Sequence, residues 1–252
     1  FLKNNIQVVI HLAAQAGVRY SIENPQKYQE TNINGFFNII EISNQTKVKH
    51  FIFASTSSVY GDTSKFPSLE KHNTDKPLSF YAASKKSNEV MAHAYSNIYG
   101  MQCTGLRFFT VYGPYGRPDM AMYKFTKSVY ENHSIKLFNN GDHFRDFTYV
   151  GDVAKIIKYI ISYKNKSNIP YNIFNIADNK SYHIKKLVKL IEKNTNKLAR
   201  IKYLDLQQGD VRKTQGSGIK ISKFINKNFK YTSLHIGINE YITWFKRYYK
   251  YD

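Results

Sequence analysis

Three apolar runs of strand length, at residues 7–12, 50–55 and 101–109, are separated by two stretches that each have room for one helix. This alternation limits the fold more than any other feature of the chain. Strand, helix and returning strand on short links bury their apolar sides when the strands lie parallel with helices packed over them, which predicts a doubly wound α/β sheet. Asn24-Pro25 reads as the start of the first helix, a cap followed by proline in the first turn, running to about Gln45. Ser79 reads as the cap of the second, which ends near Gly100.

The chemistry sits where those runs end. Ala54-Ser55-Thr56-Ser57-Ser58 closes the second strand with hydroxyls, and open α/β sheets hold ligands at that edge. The second helix opens on Tyr81-Ala82-Ala83-Ser84-Lys85, so Tyr81 and Lys85 share a helical face. A phenol, with a pKa near ~10, is a weak base at neutral pH. A neighbouring ammonium favours the phenolate, and Thr56 can bridge it to a substrate oxygen. The Tyr-x-x-x-Lys spacing recurs at Tyr123/Lys127 and Tyr182/Lys186. Only the copy at Tyr81/Lys85 follows a strand ending in hydroxyls and is followed by another strand. Thr56, Tyr81 and Lys85 are therefore the candidate proton-abstracting set.

Composition narrows the partners. The net charge of +19 comes from lysines scattered along the chain, without an arginine-rich stripe, so a nucleic-acid partner is not expected. The excess would still draw an anionic ligand. A single cysteine, Cys103, falls within a predicted strand, excludes a disulfide framework and suits a reducing compartment, so a cytoplasmic location is expected. No apolar run is long enough to span a membrane. The histidines lack metal-ligand spacing with Cys or carboxylates, and no metal is assigned.

Beyond Gly113 the elements shorten. A loop at 113–119 precedes a helix at 120–132, short strands at 135–138 and 144–150, a helix at 151–163 and a strand at 173–176. Ser181 reads as the cap of a basic amphipathic helix to about Asn194, and 239–251 as a last aromatic helix containing Trp244.

Tyr81-x-x-x-Lys85 with Thr56 upstream and His11-Leu12-Ala13-Ala14 resembles the extended short-chain dehydrogenase/reductases that act on nucleotide sugars. Three longer runs resemble the UDP-glucuronate 4-epimerases. They are Ala14-Gln15-Ala16-Gly17-Val18-Arg19-Tyr20-Ser21, the stretch from Arg107-Phe108-Phe109-Thr110 through Arg117-Pro118-Asp119-Met120-Ala121, and Arg145-Asp146-Phe147-Thr148-Tyr149-Val150. The resemblance spans about residues 5–215. It implies a Rossmann-like sheet with a smaller C-terminal α/β substrate lobe. Residues 1–112 would be a partial dinucleotide-binding domain and 113–252 mainly the substrate lobe, with 139–177 returning part of the chain to the sheet.

The resemblance implies an NAD-dependent epimerase that inverts C4 of a UDP-sugar through a transient 4-keto intermediate, UDP-glucuronate to UDP-galacturonate being the expected pair. Tyr81 would take the 4-hydroxyl proton, Thr56 would orient that hydroxyl, and Lys85 would act on Tyr81 and the nicotinamide ribose. Leu12, Ala13, Ala14, Gln15 and Thr31 would line the NAD. Ser57, Ser58, Thr110 and Arg117 would hold the uronate carboxylate, Arg19 and Arg145 the diphosphate, and Asp210 the uridine ribose. Related dehydratases carry an Asp-Glu pair after the threonine and related decarboxylases a glutamate. Ser57-Ser58 offers no carboxyl group for that acid–base work, which sets the epimerase apart from those chemistries, the first alternative. No Gly-x-Gly-x-x-Gly or Gly-x-x-Gly-x-x-Gly occurs, so the phosphate-cradling front of the sheet is expected to be missing and the chain to be a fragment or one part of a split protein. A chain that keeps the catalytic residues without holding NAD by itself is the second alternative. A homodimer through helices at 25–45 and 79–99 is the expected assembly.

Overall fold

A computed structural model of the chain describes residues 3–207, 211–225 and 229–251. The first half comprises β1 (Val8–His11), α1 (Val18–Glu23), α2 (Pro25–Tyr28), α3 (Gly35–Gln45), β2 (His50–Thr56), α4 (Phe80–Tyr99) and β3 (Gln102–Phe108). Then follow β4 (Thr110–Tyr112), α5 (Ala121–Tyr130), β5 (Ser134–Leu137), β6 (Phe144–Tyr149), α6 (Val150–Ile161) and β7 (Tyr171–Ile176). The remaining elements are β8 (Ser181–His183), α7 (Ile184–Thr195), β9 (Arg200–Tyr203), α8 (Ile219–Ser222) and α9 (Leu234–Tyr249). The main sheet runs parallel in the order β1-β2-β3-β7.

The side-chain alternation of β2 explains why helices cover both faces. Phe51 and Phe53 point to one face and pack with Phe36 and Ile40 of α3 and Ala92 of α4. Ile52 points to the other and packs with Val153, Ile156 and Ile160 of α6 and Ile221 of α8. A period-two strand buried on both sides must be apolar throughout, as the run Phe51-Ile52-Phe53 is. The result is the doubly wound α/β fold with parallel strands.

A separate core joins the shorter elements, where Phe125 of α5, Leu187 and Ile191 of α7, and Tyr241 and Phe245 of α9 are buried together. Two small sheets, β4-β6-β8 and β5-β9, flank it. Among the described residues no helix is long and apolar enough to cross a membrane.

Several boundaries differ from those expected. Ser181 lies in β8, and the cap of α7 is His183, whose Nδ1 accepts from the Lys185 N–H at 3.2 Å. The last helix begins at Leu234, because the Ser233 hydroxyl accepts from the Ile236 N–H at 3.4 Å. The helix expected at 24–45 is divided: α1 precedes Asn24, Asn24 makes no side-chain capping bond, and Gln29–Asn34 winds as a π-turn before α3. Extra residues in such a turn re-aim side chains, commonly beside functional sites. Here the turn carries the buried Asn32. Both ends of α4 match expectation, with the Ser79 hydroxyl accepting from the Ala82 N–H at 3.2 Å and Gly100 left-handed at φ 65°.

Phe53 is fully buried between α3 and α4. Phe53→Ala is expected to destabilise the protein by about 3–5 kcal/mol, through lost burial and the cavity left behind, measured by equilibrium denaturant unfolding.

Candidate active site

The carboxyl ends of β1, β2 and β3 open into a cavity of about 630 Å³, within the range of small-ligand sites. Tyr81, Lys85 and Thr56 all line it. The Ser79 cap fixes where α4 starts, and the helical repeat then points Tyr81 and Lys85 to the same side. Thr56 ends β2 in extended conformation and caps the turn Ser57–Tyr60, its hydroxyl accepting from the Ser58 N–H at 3.2 Å. Gly61 follows with φ 61°, where a side chain would overlap the Lys76 carbonyl, so the turn lies tight against the returning loop.

Electrostatics within the set depart from expectation in one respect. Burial raises the Tyr81 phenol above its ordinary value, while a hydrogen bond with Thr56 and the charge of Arg117 pull it down. Arg117, rather than Lys85, is the cation acting on Tyr81 here. The Lys85 ammonium instead donates to the Ala54 carbonyl at 2.9 Å, and desolvation lowers its pKa to about 8. That hydrogen bond ties α4 to β2 directly beneath Thr56. His11, at the end of β1, is held neutral by burial and then by the Lys85 charge, with a pKa of about 4. It packs against Phe36 and Phe51, the setting of a structural histidine and not of a proton carrier.

Leu12, Ala14, Ser57, Ser58, Thr110, Arg117 and Arg145 line the same cavity. Arg145 is anchored by donating to the carbonyls of Phe144, at 2.9 Å, and Arg212, at 3.1 Å. Four expected residues stand apart from the lining. Ala13 and Thr31 are exposed. The Gln15 backbone is turned to Asn32, and Arg19 stacks over the Phe138 ring at 4.6 Å. Arg19 is exposed and is not among the residues that line the cavity. Asp210 lies outside the described residues.

Three features were not among the expected site residues. Asn32 bonds both backbone groups of Gln15 (2.8 and 2.9 Å) and donates to Ser84 Oγ at 3.0 Å, pinning the loop after β1 to α4. Behind Thr56, Glu89 and Arg107 form a buried fork-to-fork pair at 2.8 Å for both bonds. Glu89 also accepts from Ser55 Oγ at 2.6 Å, and Arg107 donates to the Tyr60 hydroxyl at 3.0 Å. Asp119 holds Arg117 through two hydrogen bonds at the cavity wall. A charged residue within a strand run, as Arg107 is, was the available signal for the buried pair.

A parallel doubly wound sheet with a tyrosine, threonine and lysine at its carboxyl edge defines a Rossmann-type α/β protein of the short-chain dehydrogenase/reductase kind. The model of the NAD dependent epimerase/dehydratase family matches residues 1–177, and the chain belongs to that family. It is 44% identical to protein CapI of Staphylococcus aureus, covering 99% of this chain and 79% of that protein. It is 36% identical to a probable UDP-glucuronate 4-epimerase of Rhizobium meliloti, covering 97% and 76% respectively. Among solved structures it is similar to the UDP-glucuronic acid 4-epimerase of Bacillus cereus in complex with UDP-glucuronic acid and NAD. That match has a TM-score of 0.90 and 33% identity, over 98% of this chain and 78% of the other.

Arg107 and Glu89 are both nearly inaccessible, at 5% and 4% side-chain exposure. Arg107→Ala would leave a buried carboxylate unpaired and is expected to cost roughly 3–5 kcal/mol in urea unfolding. A loss well under 1 kcal/mol would mean that water reaches Glu89 and that the pair does not fix the strand end.

Proposed function

We propose that this protein is an NAD-dependent epimerase that inverts C4 of a UDP-sugar, with UDP-glucuronate and UDP-galacturonate as its substrate pair. One observation carries the reading: Tyr81, Thr56 and Lys85 share a cavity with three hydroxyls, of Ser57, Ser58 and Thr110, and the Arg117 guanidinium. Hydroxyls beside a guanidinium suit a carboxylate, which a planar donor fork can bind in two places. The named activity of the Bacillus cereus relative supports the same substrate.

The residues present fit the nicotinamide end of NAD. Leu12 offers apolar surface, 50% exposed, and the small Ala14 lines the same cavity as Lys85. Leu12, Ala13, Ala14, Gln15 and Thr31 would hold the cofactor from the β1 side, with Gln15 kept in position by Asn32. When bound, NAD supplies a reversible hydride acceptor for C4.

The chain's own residues handle the proton and the substrate's orientation. Tyr81 accepts the C4 hydroxyl proton as the alcohol becomes a ketone and returns it after the sugar has turned over. Thr56 donates to the oxygen it faces and stabilises the phenolate. Arg117 contributes a second field that favours the phenolate against the burial that opposes it. Lys85, fixed by the Ala54 carbonyl, presents its remaining N–H groups toward the cofactor ribose. Arg145 and Arg19 bind the diphosphate, and Asp210 receives the uridine ribose. Ser57 and Ser58 supply donors and no acid, so the 4-keto uronate keeps its carboxylate.

Residues 1–112 form the cofactor side of this enzyme, and 113–252 mainly the substrate side, with β7 returning to the sheet. The protein is cytoplasmic and works as a homodimer through α3 and α4, whose exposed Phe37, Val90 and Ile98 support such a contact.

The direct test is incubation of the full-length protein with UDP-glucuronate and NAD, with products resolved by proton NMR. UDP-galacturonate is expected, without carbon dioxide; decarboxylation, or turnover confined to UDP-glucose, would overturn the substrate assignment. Tyr81→Phe should lower kcat by about 10²–10⁴-fold while dinucleotide affinity is retained. Below pH 8 Lys85 is charged, and it loses its proton as pH rises through about 8. NAD affinity, followed by fluorescence titration, should therefore fall across that range in the native protein and stay flat in Lys85→Met.

A further inference from the structure

We propose that Asp119 is a resident stand-in for the substrate's carboxylate. It keeps Arg117 paired in the ligand-free protein and yields that arginine to an incoming uronate. This specificity role rests on the reading of Arg117 as the carboxylate-binding arginine. Arg117 Nε donates to Asp119 Oδ1 at 2.9 Å, and Nη2 donates to Oδ2, the same two-pronged grip that a substrate carboxylate would take. The pair sits against the loop after β1. A side chain on Gly17 would meet Arg117 Nη2 and Asp119 Oδ2, each at 3.8 Å, and the Tyr28 hydroxyl at 3.7 Å. Those are ordinary contact distances, and it is the φ of 113° that a larger residue at Gly17 would strain.

Exposure decides which of the two arginine–carboxylate pairs can exchange partners. Arg107 and Glu89 are 5% and 4% exposed, so separating them would strand a buried charge. Arg117 and Asp119 are 47% and 52% exposed, so water can take over either partner at little cost. The pair is therefore weak enough to open and stereochemically matched to what replaces it. Swapping one carboxylate for another leaves a similar field at Tyr81. A neutral sugar offers no replacement anion, so with such a substrate Arg117 remains on Asp119. Asp119 thus competes with the uronate for Arg117.

The test compares native protein, Asp119→Asn, Asp119→Ala and Arg117→Ala, using dissociation constants by calorimetry and steady-state kinetics with UDP-glucuronate and UDP-glucose. Removing the competitor should tighten UDP-glucuronate by roughly two- to fivefold and leave UDP-glucose affinity unaltered. Agreement between the two Asp119 variants excludes an effect peculiar to the amide. If Arg117→Ala weakens the uronate but the Asp119 variants leave it unchanged or weaken it too, Asp119 is an orienting partner and the proposal fails alone. If Arg117→Ala leaves uronate affinity intact, the carboxylate is held elsewhere and both the proposal and the underlying reading of Arg117 fail.

Discussion

The buried pair between Glu89 and Arg107 is the interaction on which the site's geometry depends. Glu89 lies on α4, the helix that carries Tyr81 and Lys85, and Arg107 lies on β3. Their two hydrogen bonds join helix to sheet within the low-dielectric interior, where an ionic pair can hold only if each remaining polar atom is occupied. The neighbours meet that demand: Ser55 donates to Glu89, and Arg107 reaches both the Tyr60 hydroxyl and the Glu70 carbonyl. Tyr60 in turn donates to Asn175 of β7 at 2.7 Å. The network thus includes residues on each side of Thr56, and it fixes the strand end against the helix face that Tyr81 shares.

This arrangement explains how much of the protein was legible in the sequence. Strands buried on both faces are apolar without interruption, and helix ends announce themselves through Ser79 and Gly100, so the parallel sheet and α4 followed from local chemistry. Tyr81, Lys85 and Thr56 were readable for the same reason, since helical spacing and a strand end specify their neighbourhood before any tertiary contact forms. The cap of α7 was less legible. Ser181 and His183 are both able to cap, and pairing of 181–183 with β6, a partner distant in sequence, decided between them.

Long-range partners were the least legible. Nothing local to Arg19 distinguishes a ligand contact from stacking on Phe138, a residue far along the chain. Asn32 sits in the helical stretch that the sequence describes as continuous, yet the π-turn rotates it onto Gln15 and Ser84. Charge effects share this limitation. Tyr81-x-x-x-Lys85 suggests that the lysine governs the phenol, but the Ala54 carbonyl draws the ammonium off along the strand. Arg117 arrives from a distant loop to take the electrostatic part.

That division has a consequence for how proton transfer can be organised. Burial opposes charge on Tyr81 and on Lys85 alike, raising one pKa and lowering the other, so both groups drift toward neutrality in the ligand-free protein. Acid–base work requires a pKa near the working pH; burial moves Lys85 toward it and Tyr81 away from it, so the phenolate needs the support of Thr56 and Arg117. Arg117 is suited to that part because its pair with Asp119 is half-exposed, whereas Arg107 is buried with Glu89. Burial pushes the Asp119 carboxyl up, but the hydrogen bond and charge of Arg117 outweigh it and hold the acid ionised below its usual range. The cation near Tyr81 is therefore compensated before the substrate arrives and can be compensated again by the substrate itself. The site then keeps a nearly constant net charge around its phenol. On the proposed reading, a bound uronate would change which carboxylate the arginine grips, and so where the sugar ring stands relative to Thr56 and Tyr81.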